Sequence, residues 1–188
     1  MRGDKLMTGT GVKTKLNIKT QTVYTVGAII AAVLLPQIVH VLGAKSGVGS
    51  ALGEIFLPMH LPVILAGLLA GPFAGAVSGA VSPVISFALT GMPKTAMLPF
   101  MVTELAAYGL FAGLLKNVKM PCVLKVLLTQ IAGRAVRAAA ILTAVKGFGY
   151  GGLKLPVIWN SITAGLIGIA LQLLIIPLVV YRVQSNER

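Results

Sequence analysis

The sequence predicts an all-α membrane protein, a bundle of six transmembrane helices with both termini in the cytosol. Three observations support this fold class. The chain of 188 residues is 56% hydrophobic and only 11% charged, its mean hydropathy is +0.93, and its apolar residues fall into separate blocks. A water-soluble domain of this size needs more surface charge, whereas a helix that crosses a bilayer needs about 20 apolar residues.

Six apolar segments follow one another along the chain, with glycine and proline turn signals between them. We predict spans at 21–42, 58–71, 73–90, 96–115, 121–146 and 156–181. The dipeptide Gly71-Pro72 separates the second span from the third, and the run 147–152 forms a glycine-rich loop before the sixth. Because the second segment is short, a re-entrant hairpin over 58–90 is an alternative to two spans.

Basic residues near the span ends predict the orientation, since Lys and Arg are enriched on the cytosolic side. With the N-terminus inside, ten fall on that side: Arg2, Lys5, Lys13, Lys15, Lys19, Lys116, Lys119, Lys125, Arg182 and Arg188. Four fall outside: Lys45, Lys94, Lys146 and Lys154. We therefore predict a cytosolic tail at 1–20, a transmembrane domain at 21–182 and a cytosolic tail at 183–188. The first tail has no apolar core, so we do not interpret it as a cleavable signal.

Several function classes are disfavoured by the residue content. A single cysteine, Cys122, excludes an internal disulfide or a cysteine-based metal cluster. The net charge of +12 does not indicate nucleic-acid binding, because the basic residues lie mainly between apolar blocks and are not interleaved with aromatic residues. No metal-ligand spacing, ATPase motif or catalytic constellation is present. We predict no enzyme activity, no cofactor, no metal and no nucleic-acid partner; energy for any transport comes from a partner or a gradient.

Small residues recur at helical spacing in two places. Gly67, Gly71, Gly75 and Gly79 are four residues apart, which favours close packing of neighbouring helices inside the bundle. The first span carries a second small-residue face at Gly27, Ala28, Ala31 and Ala32. On an outer helix such a face can instead dock the helix of a partner.

Three ionisable residues fall deep inside predicted spans: Glu104 in the fourth, and Arg134 and Arg137 in the fifth. A charge at this depth costs at least about 2.5–3.5 kcal/mol, so it normally faces a partner or a wet cavity. Helical spacing places both arginines on one face with Gln130. One interpretation is a structural Glu104–Arg134 ion pair, with Arg137 extending to the interface. The other is a cavity whose excess positive charge favours a ligand with a carboxylate, a phosphate or strong acceptors.

Further polar candidates lie near the predicted external ends of the spans. In GEIFLPMH, Glu54 and His60 flank Pro58, and Pro62 follows. These prolines predict an extended path that allows only a first helical turn, which suits a loop folded over a cavity. Glu54 and His60 would then lie on its lid or rim, although an interfacial histidine bonded to a loop carbonyl is an alternative for His60. Candidates at the outer end of the sixth span are Trp159 and Asn160, and a role as an interfacial anchor is an alternative for either residue.

Several segments, taken together, resemble the substrate-binding S components of energy-coupling factor (ECF) vitamin transporters, over residues 20–182 or so. They are GAIIAA at 27–32, FLPMHLPVILAGLLAGP at 56–72, GMP at 91–93, TELAAYG at 103–109 and AGR at 132–134. The resemblance implies a protein that captures a micronutrient outside the cell with high affinity. It also implies docking to a transmembrane coupling protein and two cytosolic ATPases, followed by toppling in the membrane to release the substrate inward.

The resemblance also implies roles for individual residues. External loops at about 43–60 and 91–96 would cover a pocket lined largely by the fourth to sixth spans. With the candidates above, the substrate-binding set is Glu54, His60, Lys94, Glu104, Tyr108, Arg134, Arg137, Trp159 and Asn160. The small-residue face of the first span (Gly27, Ala28, Ala31, Ala32) would contact the coupling protein.

The substrate and the transport mode are left open by the sequence. Folate, pantothenate, hydroxymethylpyrimidine, pyridoxine-type compounds, cobalamin and queuosine precursors are all possible substrates. Alternatives to an S component are a gradient-driven carrier, a small oligomeric channel and a membrane scaffold that transports nothing.

Overall fold

The computed structural model describes residues 17–47, 49, 51–152 and 155–186, and this part of the chain is helical without a β-strand. The helices are α1 (Ile18–Lys45), α2 (Ala51–Phe56), α3 (His60–Ala70), α4 (Pro72–Thr90), α5 (Leu98–Leu115), α6 (Cys122–Leu142), α7 (Val157–Ala164) and α8 (Leu166–Asn186). A π-helical turn, Thr143–Gly147, continues α6. Most of the predicted N-terminal tail (1–16), Lys154 and the end of the C-terminal tail (187–188) lie outside the described residues.

Six helical segments of the described chain are long and apolar enough to cross a membrane, which confirms the predicted all-α six-helix bundle. They are Ile18–Lys45, Ala51–Ala70, Pro72–Thr90, Leu98–Leu115, Cys122–Gly147 and Leu166–Ser185. The predicted second span is lengthened to 20 residues because α2 precedes α3. Segments 51–70 and 72–90 each have the length of a full span, so the re-entrant alternative for 58–90 is not needed.

Three local predictions are corrected. The approach to α3 is not extended, because 51–56 forms the helix α2 and the chain then turns through Leu57 in a left-handed conformation (φ 50°). Pro62 lies in the first turn of α3, where proline is tolerated. The glycine-rich loop begins after Gly147, which ends the π-helical turn. The predicted sixth span is divided at Gly165 into α7 and α8.

Close glycine contacts hold α3, α4 and α5 together, as the small-residue spacing predicts. A Cβ added at Gly75 would overlap the backbone of Gly109, and one added at Gly79 would overlap the carbonyl of Leu105. Gly67 likewise faces the Gly109 carbonyl, at 2.5 Å from the ideal Cβ position. Gly71 is the exception: no atom lies within 4 Å of its Cβ position, and its φ of 110° instead allows the turn between α3 and α4.

The inward face of α1 contains part of the small-residue set that we assigned to a partner. Ala32 is fully buried and Ala28 nearly so, because α1 packs this face against α3 and α4. Gly27 is exposed, with no atom of another described segment within 4 Å of its Cβ position, and Ala31 is half-buried. The choice of Ala28 and Ala32 as partner contacts is therefore corrected, since both already contact the bundle itself.

Lysine side chains donate hydrogen bonds to backbone carbonyls at the end of the bundle opposite the α1–α2 and α4–α5 connections. Lys116 Nζ donates a hydrogen bond to the Leu69 carbonyl near the end of α3. Lys125 Nζ donates to the carbonyl of Lys116 at 2.7 Å, just beyond α5. A cation at a helix C-terminus satisfies carbonyls that have no intrahelical partner. These lysines tie α3, α5 and α6 together at that end.

The contact between α4 and α5 leads to a stability prediction. We expect Gly109→Ala to lower the free energy of unfolding by about 1–3 kcal/mol, because the added methyl group overlaps the Gly75 backbone. The measurement is the midpoint of thermal unfolding of the purified protein in mild detergent. Gly27→Ala is the matched control and should leave the midpoint at or above the wild-type value, since its Cβ meets no other atom. Equal midpoints for the two variants would contradict the packing argument.

Candidate functional site

A cavity of about 410 Å³ lies among the helices at the end that holds the α1–α2, α4–α5 and α6–α7 connections. This volume is within the range of about 300–1,000 Å³ that is usual for small-molecule sites. The lining residues are Pro36, His40, Gly53, Glu54, Leu57, Pro58, Met59, His60, Ser86, Met92, Pro93, Lys94, Met97, Met101, Glu104, Arg137, Val157, Asn160 and Ser161.

An ion pair forms the floor of the cavity. Glu104 on α5 is only 1% exposed, and Arg137 on α6 donates from Nη1 to its Oε2 at 2.9 Å. Tyr108, one turn further along α5, donates its hydroxyl to Oε1 at 3.1 Å. A carboxylate at this depth is tolerated because it has a cationic partner and a hydrogen-bond donor.

The structure corrects the ion pair that the sequence suggested, because Glu104 pairs with Arg137 and not with Arg134. Arg134 is three residues earlier on α6 and turns towards α7, where its Nη1 donates to the Ser161 carbonyl at 3.2 Å. It lies in a small crevice next to the cavity, lined in part by Arg137 and Ser161. Arg137 does not extend to the interface, since it stays at the floor with Nη2 against the Met97 sulfur at 3.5 Å.

His60 lies at the floor and not at the rim. It is 4% exposed, and its ring packs edge-on against Tyr108 with centroids 5.0 Å apart. Its Nε2 is 3.9 Å from Glu104 Oε1. Neither ring nitrogen has a hydrogen-bond partner among the described residues, which argues against the alternative of a histidine bonded to a loop carbonyl. The residue lies this deep because α3 begins at His60 and its first turn is packed inside the bundle.

The mouth of the cavity carries exposed polar groups from three elements. Glu54 belongs to α2, Lys94 to the α4–α5 connection and Asn160 to α7, and all three line the cavity. The two connections that we expected to cover a pocket therefore both contribute to its wall. At the α4–α5 connection, the Tyr150 hydroxyl donates to the Ala96 carbonyl at 3.4 Å, so the segment after α6 also contacts this region.

Three candidates from the sequence do not line the main cavity. Trp159 is 70% exposed, because the inward face of α7 presents Val157, Asn160 and Ser161 instead. Tyr108 lies behind Glu104, with its ring against Gly133 of α6. Arg134 is confined to the adjoining crevice. Tyr108 and Arg134 thus support the floor from behind, while Trp159 faces away from the site.

The family model described as the substrate-specific component of ECF transporters matches residues 25–180, most of the chain. The chain belongs to this family. It is therefore an S component, a multi-pass cell membrane protein that binds substrate as part of a transporter. No curated protein and no solved structure matched the chain.

Sequence reasoning missed several cavity residues of this S component. Met101 on α5 and Met97, the N-cap residue just before α5, precede Glu104 by three and seven residues, a helical spacing that places all three on one face. Reading that face outward from Glu104 would have identified both methionines. Pro36 and His40, also four residues apart, line the cavity from α1. The available signal was His40 itself, an ionisable residue within the predicted first span.

A chain of buried amides connects the α2–α3 turn of the S component to its core. Gln130 on α6 donates from Nε2 to Gln172 Oε1 on α8, and Gln172 donates from its own Nε2 to the Leu57 carbonyl at 3.1 Å. Gln130 therefore does not share its contacts with Arg134 and Arg137, although the three lie on one side of α6. The turn at Leu57, beside the cavity, is fixed to two transmembrane helices.

The floor pair leads to a prediction that separates the two arginines. We expect Arg137→Gln to lower the free energy of unfolding by about 3–5 kcal/mol, because Glu104 is left as an unpaired buried charge. Arg134→Gln should cost less, since Arg134 bonds only a backbone carbonyl. Thermal unfolding in mild detergent measures both, with exposed Arg182→Gln as the control.

The double variant Glu104→Gln/Arg137→Gln should recover most of the stability lost in Arg137→Gln, because it removes both charges together. A larger loss in Arg134→Gln than in Arg137→Gln would show that Glu104 pairs with the other arginine.

Proposed function

We propose that this S component captures a vitamin or related micronutrient from outside the cell in the cavity above Glu104. We further propose that it delivers the molecule inward when docked to an energising module of one coupling membrane protein and two cytosolic ATPases, in a bacterial cytoplasmic membrane. The observation that carries the proposal is the cavity itself, a space of about 410 Å³ with a buried ion pair at its floor. The family supports the same function at a coarser level, as a membrane substrate-binding component.

The direction of capture rests on the distribution of basic residues. In the described chain, Lys19, Lys116, Lys119, Lys125 and Arg182 lie at or beyond the span ends opposite the cavity, against Lys45, Lys94 and Lys146 at the cavity end. By the positive-inside rule the cavity opens outward. We therefore propose that the segments 1–20 and 183–188 are cytosolic. Helix α1 begins at Ile18, within the first of these segments, and helix α8 ends at Asn186, within the second.

The packing beneath the floor supports capture followed by a conformational change and does not favour an open channel. Below Glu104, the side chains of Leu105, Tyr108 and Val126 are fully buried and belong to the hydrophobic core. A ligand that enters from the mouth therefore meets a closed floor. A scaffold without a ligand would give no reason for an unbonded, buried His60 facing this cavity.

For the coupling protein, we propose a contact with Gly27 and Ala31, because Ala28 and Ala32 are buried against the bundle. Gly27 leaves its side of the helix open, and Val23 and Ile30 beside it are exposed. A small residue on such a face allows the backbone of another helix to approach closely. We propose that this face receives a helix of the coupling protein.

Filling the cavity should abolish binding without disturbing the fold. We expect Val157→Trp to reduce retention of small molecules at least tenfold, because Val157 lines the cavity on the short helix α7. The measurement is native mass spectrometry of the detergent-purified protein after equilibration with the fraction of yeast extract below 1 kDa. In liposomes with the energising module and ATP, uptake of the retained molecule should fall to the same extent.

Thr163→Trp is the matched control, since Thr163 is exposed on the same helix and does not line the cavity. It should retain the wild-type amount of bound molecule. Equal retention by the two tryptophan variants would show that the substrate binds elsewhere. Flux in liposomes without any ATPase would support the gradient-driven alternative.

A further inference from the structure

The charges around the cavity floor do not balance. Glu104 is the single acid that the described chain places there, whereas two arginines of α6 lie nearby: Arg137 at the floor and Arg134 about one turn away, in the crevice that both line. Arg137 is neutralised by Glu104 at 2.9 Å, but the hydrogen-bond acceptor that the described residues offer Arg134 is a neutral carbonyl. At the mouth, the negative charge of Glu54 is equal and opposite to the positive charge of Lys94. One positive charge is therefore left at membrane depth, where an uncompensated charge is costly.

The unsatisfied polar atoms at the floor are mainly donors. Within the described residues, Arg137 Nε, Arg134 Nε and Arg134 Nη2 are buried without a hydrogen-bond partner, as are both ring nitrogens of His60. A guanidinium can only donate hydrogen bonds, and a neutral imidazole donates one and accepts one. Because buried donors are normally satisfied, a molecule that completes this site has to supply acceptor atoms.

Arg137 lines the main cavity, whereas Arg134 lines the adjoining crevice. Arg137 and Ser161 line both the main cavity and the adjoining crevice, which they share with Arg134. The crevice measures about 10 Å³, which is room for roughly one water. A ligand group at the floor can therefore contact Arg137 directly. Arg134 acts on the same group through its charge or through a bridging water.

We propose that the captured molecule is a monocarboxylate whose carboxylate lies at the deep end of the cavity, against Arg137 and His60. The proposal deepens the proposed function and rests on it. A single negative charge offsets the excess of one positive charge, and carboxylate oxygens supply the acceptors that the free N–H groups need. A neutral ligand leaves the excess charge uncompensated. A phosphomonoester brings about −1.5 to −2 charges at pH 7 and reverses the imbalance.

The remaining wall indicates what the rest of the molecule is like. Four methionines line the cavity: Met59, Met92, Met97 and Met101. Phe, Tyr and Trp are absent from the lining that the described residues form. Methionine is unbranched and polarisable, and it adapts to irregular shapes. We therefore expect the body of the ligand to contact thioether side chains, and not to stack on Phe, Tyr or Trp rings of this wall.

Chemical treatment of a mixed ligand source tests the proposal while the substrate is still unidentified. The purified full-length protein is equilibrated with the yeast-extract fraction below 1 kDa in three forms: untreated, with its carboxylates converted to methylamides, and treated with alkaline phosphatase. Native mass spectrometry then measures the bound molecule, which is identified after denaturation. We expect binding from the untreated and phosphatase-treated fractions, and at least a tenfold loss from the amidated fraction.

Each other outcome has a definite meaning. Undiminished binding from the amidated fraction overturns the carboxylate assignment and leaves the proposed capture function intact. Loss only after phosphatase treatment overturns it in favour of a phosphate. Absence of any bound molecule from the untreated fraction contradicts the proposed function, and with it this inference.

Arg134 provides the matched variant, because it does not contact Glu104. We expect Arg134→Gln to weaken retention of the carboxylate at least tenfold, and Arg134→Lys, which keeps the charge, to restore most of it. Arg182→Gln, on the exposed end of α8, is the control and should bind like the wild type. If Arg134→Gln unfolds, the lysine variant decides: a folded Arg134→Lys protein that does not bind the carboxylate contradicts the role of charge. Unchanged binding in a folded Arg134→Gln protein contradicts it as well.

Discussion

The arrangement of the site depends on one constraint, the need to pair the Glu104 carboxylate inside a membrane. The antiparallel packing of α5 and α6 meets this need in two adjacent layers. In one layer Glu104 faces Arg137, and one turn away the Tyr108 ring lies over Gly133. Because a side chain at Gly133 would overlap the Tyr108 ring, the glycine lets α6 approach closely enough for Arg137 to reach the acid. A buried ion pair adds little stability by itself, although removal of one partner is strongly destabilising.

The bundle surrounds this pair with two kinds of packing. On one side, α3, α4 and α5 meet through glycines whose backbones are in direct contact, which leaves no room for adjustment. On the other side, α6 and α8 share the apolar core through Val126 and Ile176, and polar contacts are added by Arg134 on the Ser161 carbonyl and by Gln130 on Gln172. The cavity lies between the two, so a wall packed through glycine contacts, which holds Glu104, faces a wall that includes polar contacts.

Much of the fold was predictable because the bilayer imposes simple rules on sequence. The cost of exposing backbone groups to lipid forces long apolar helices, and hydropathy therefore located all six spans. The cost of buried charge likewise identified Glu104, Arg134 and Arg137 as a group. Which arginine pairs with the acid depends on the rotation of α6 against α5, and spacing within one helix does not fix that rotation. The depth of His60 and the outward direction of Trp159 depend on the left-handed turn at Leu57 and on the break at Gly165, which hydropathy does not detect.

Helix α6 supplies Arg137 to the cavity floor and is also connected to the α2–α3 turn beside the cavity. Arg137 lies on α6 two turns from Gln130, and Gln130 is connected through Gln172 to the Leu57 carbonyl in the α2–α3 turn. A rotation of α6 that moves Arg137 therefore also moves the amide that fixes this turn. The floor of the cavity and the turn at its wall are therefore linked through one helix. A ligand that binds Arg137 more tightly in one position of α6 favours that position, and the turn at Leu57 follows through the amide chain.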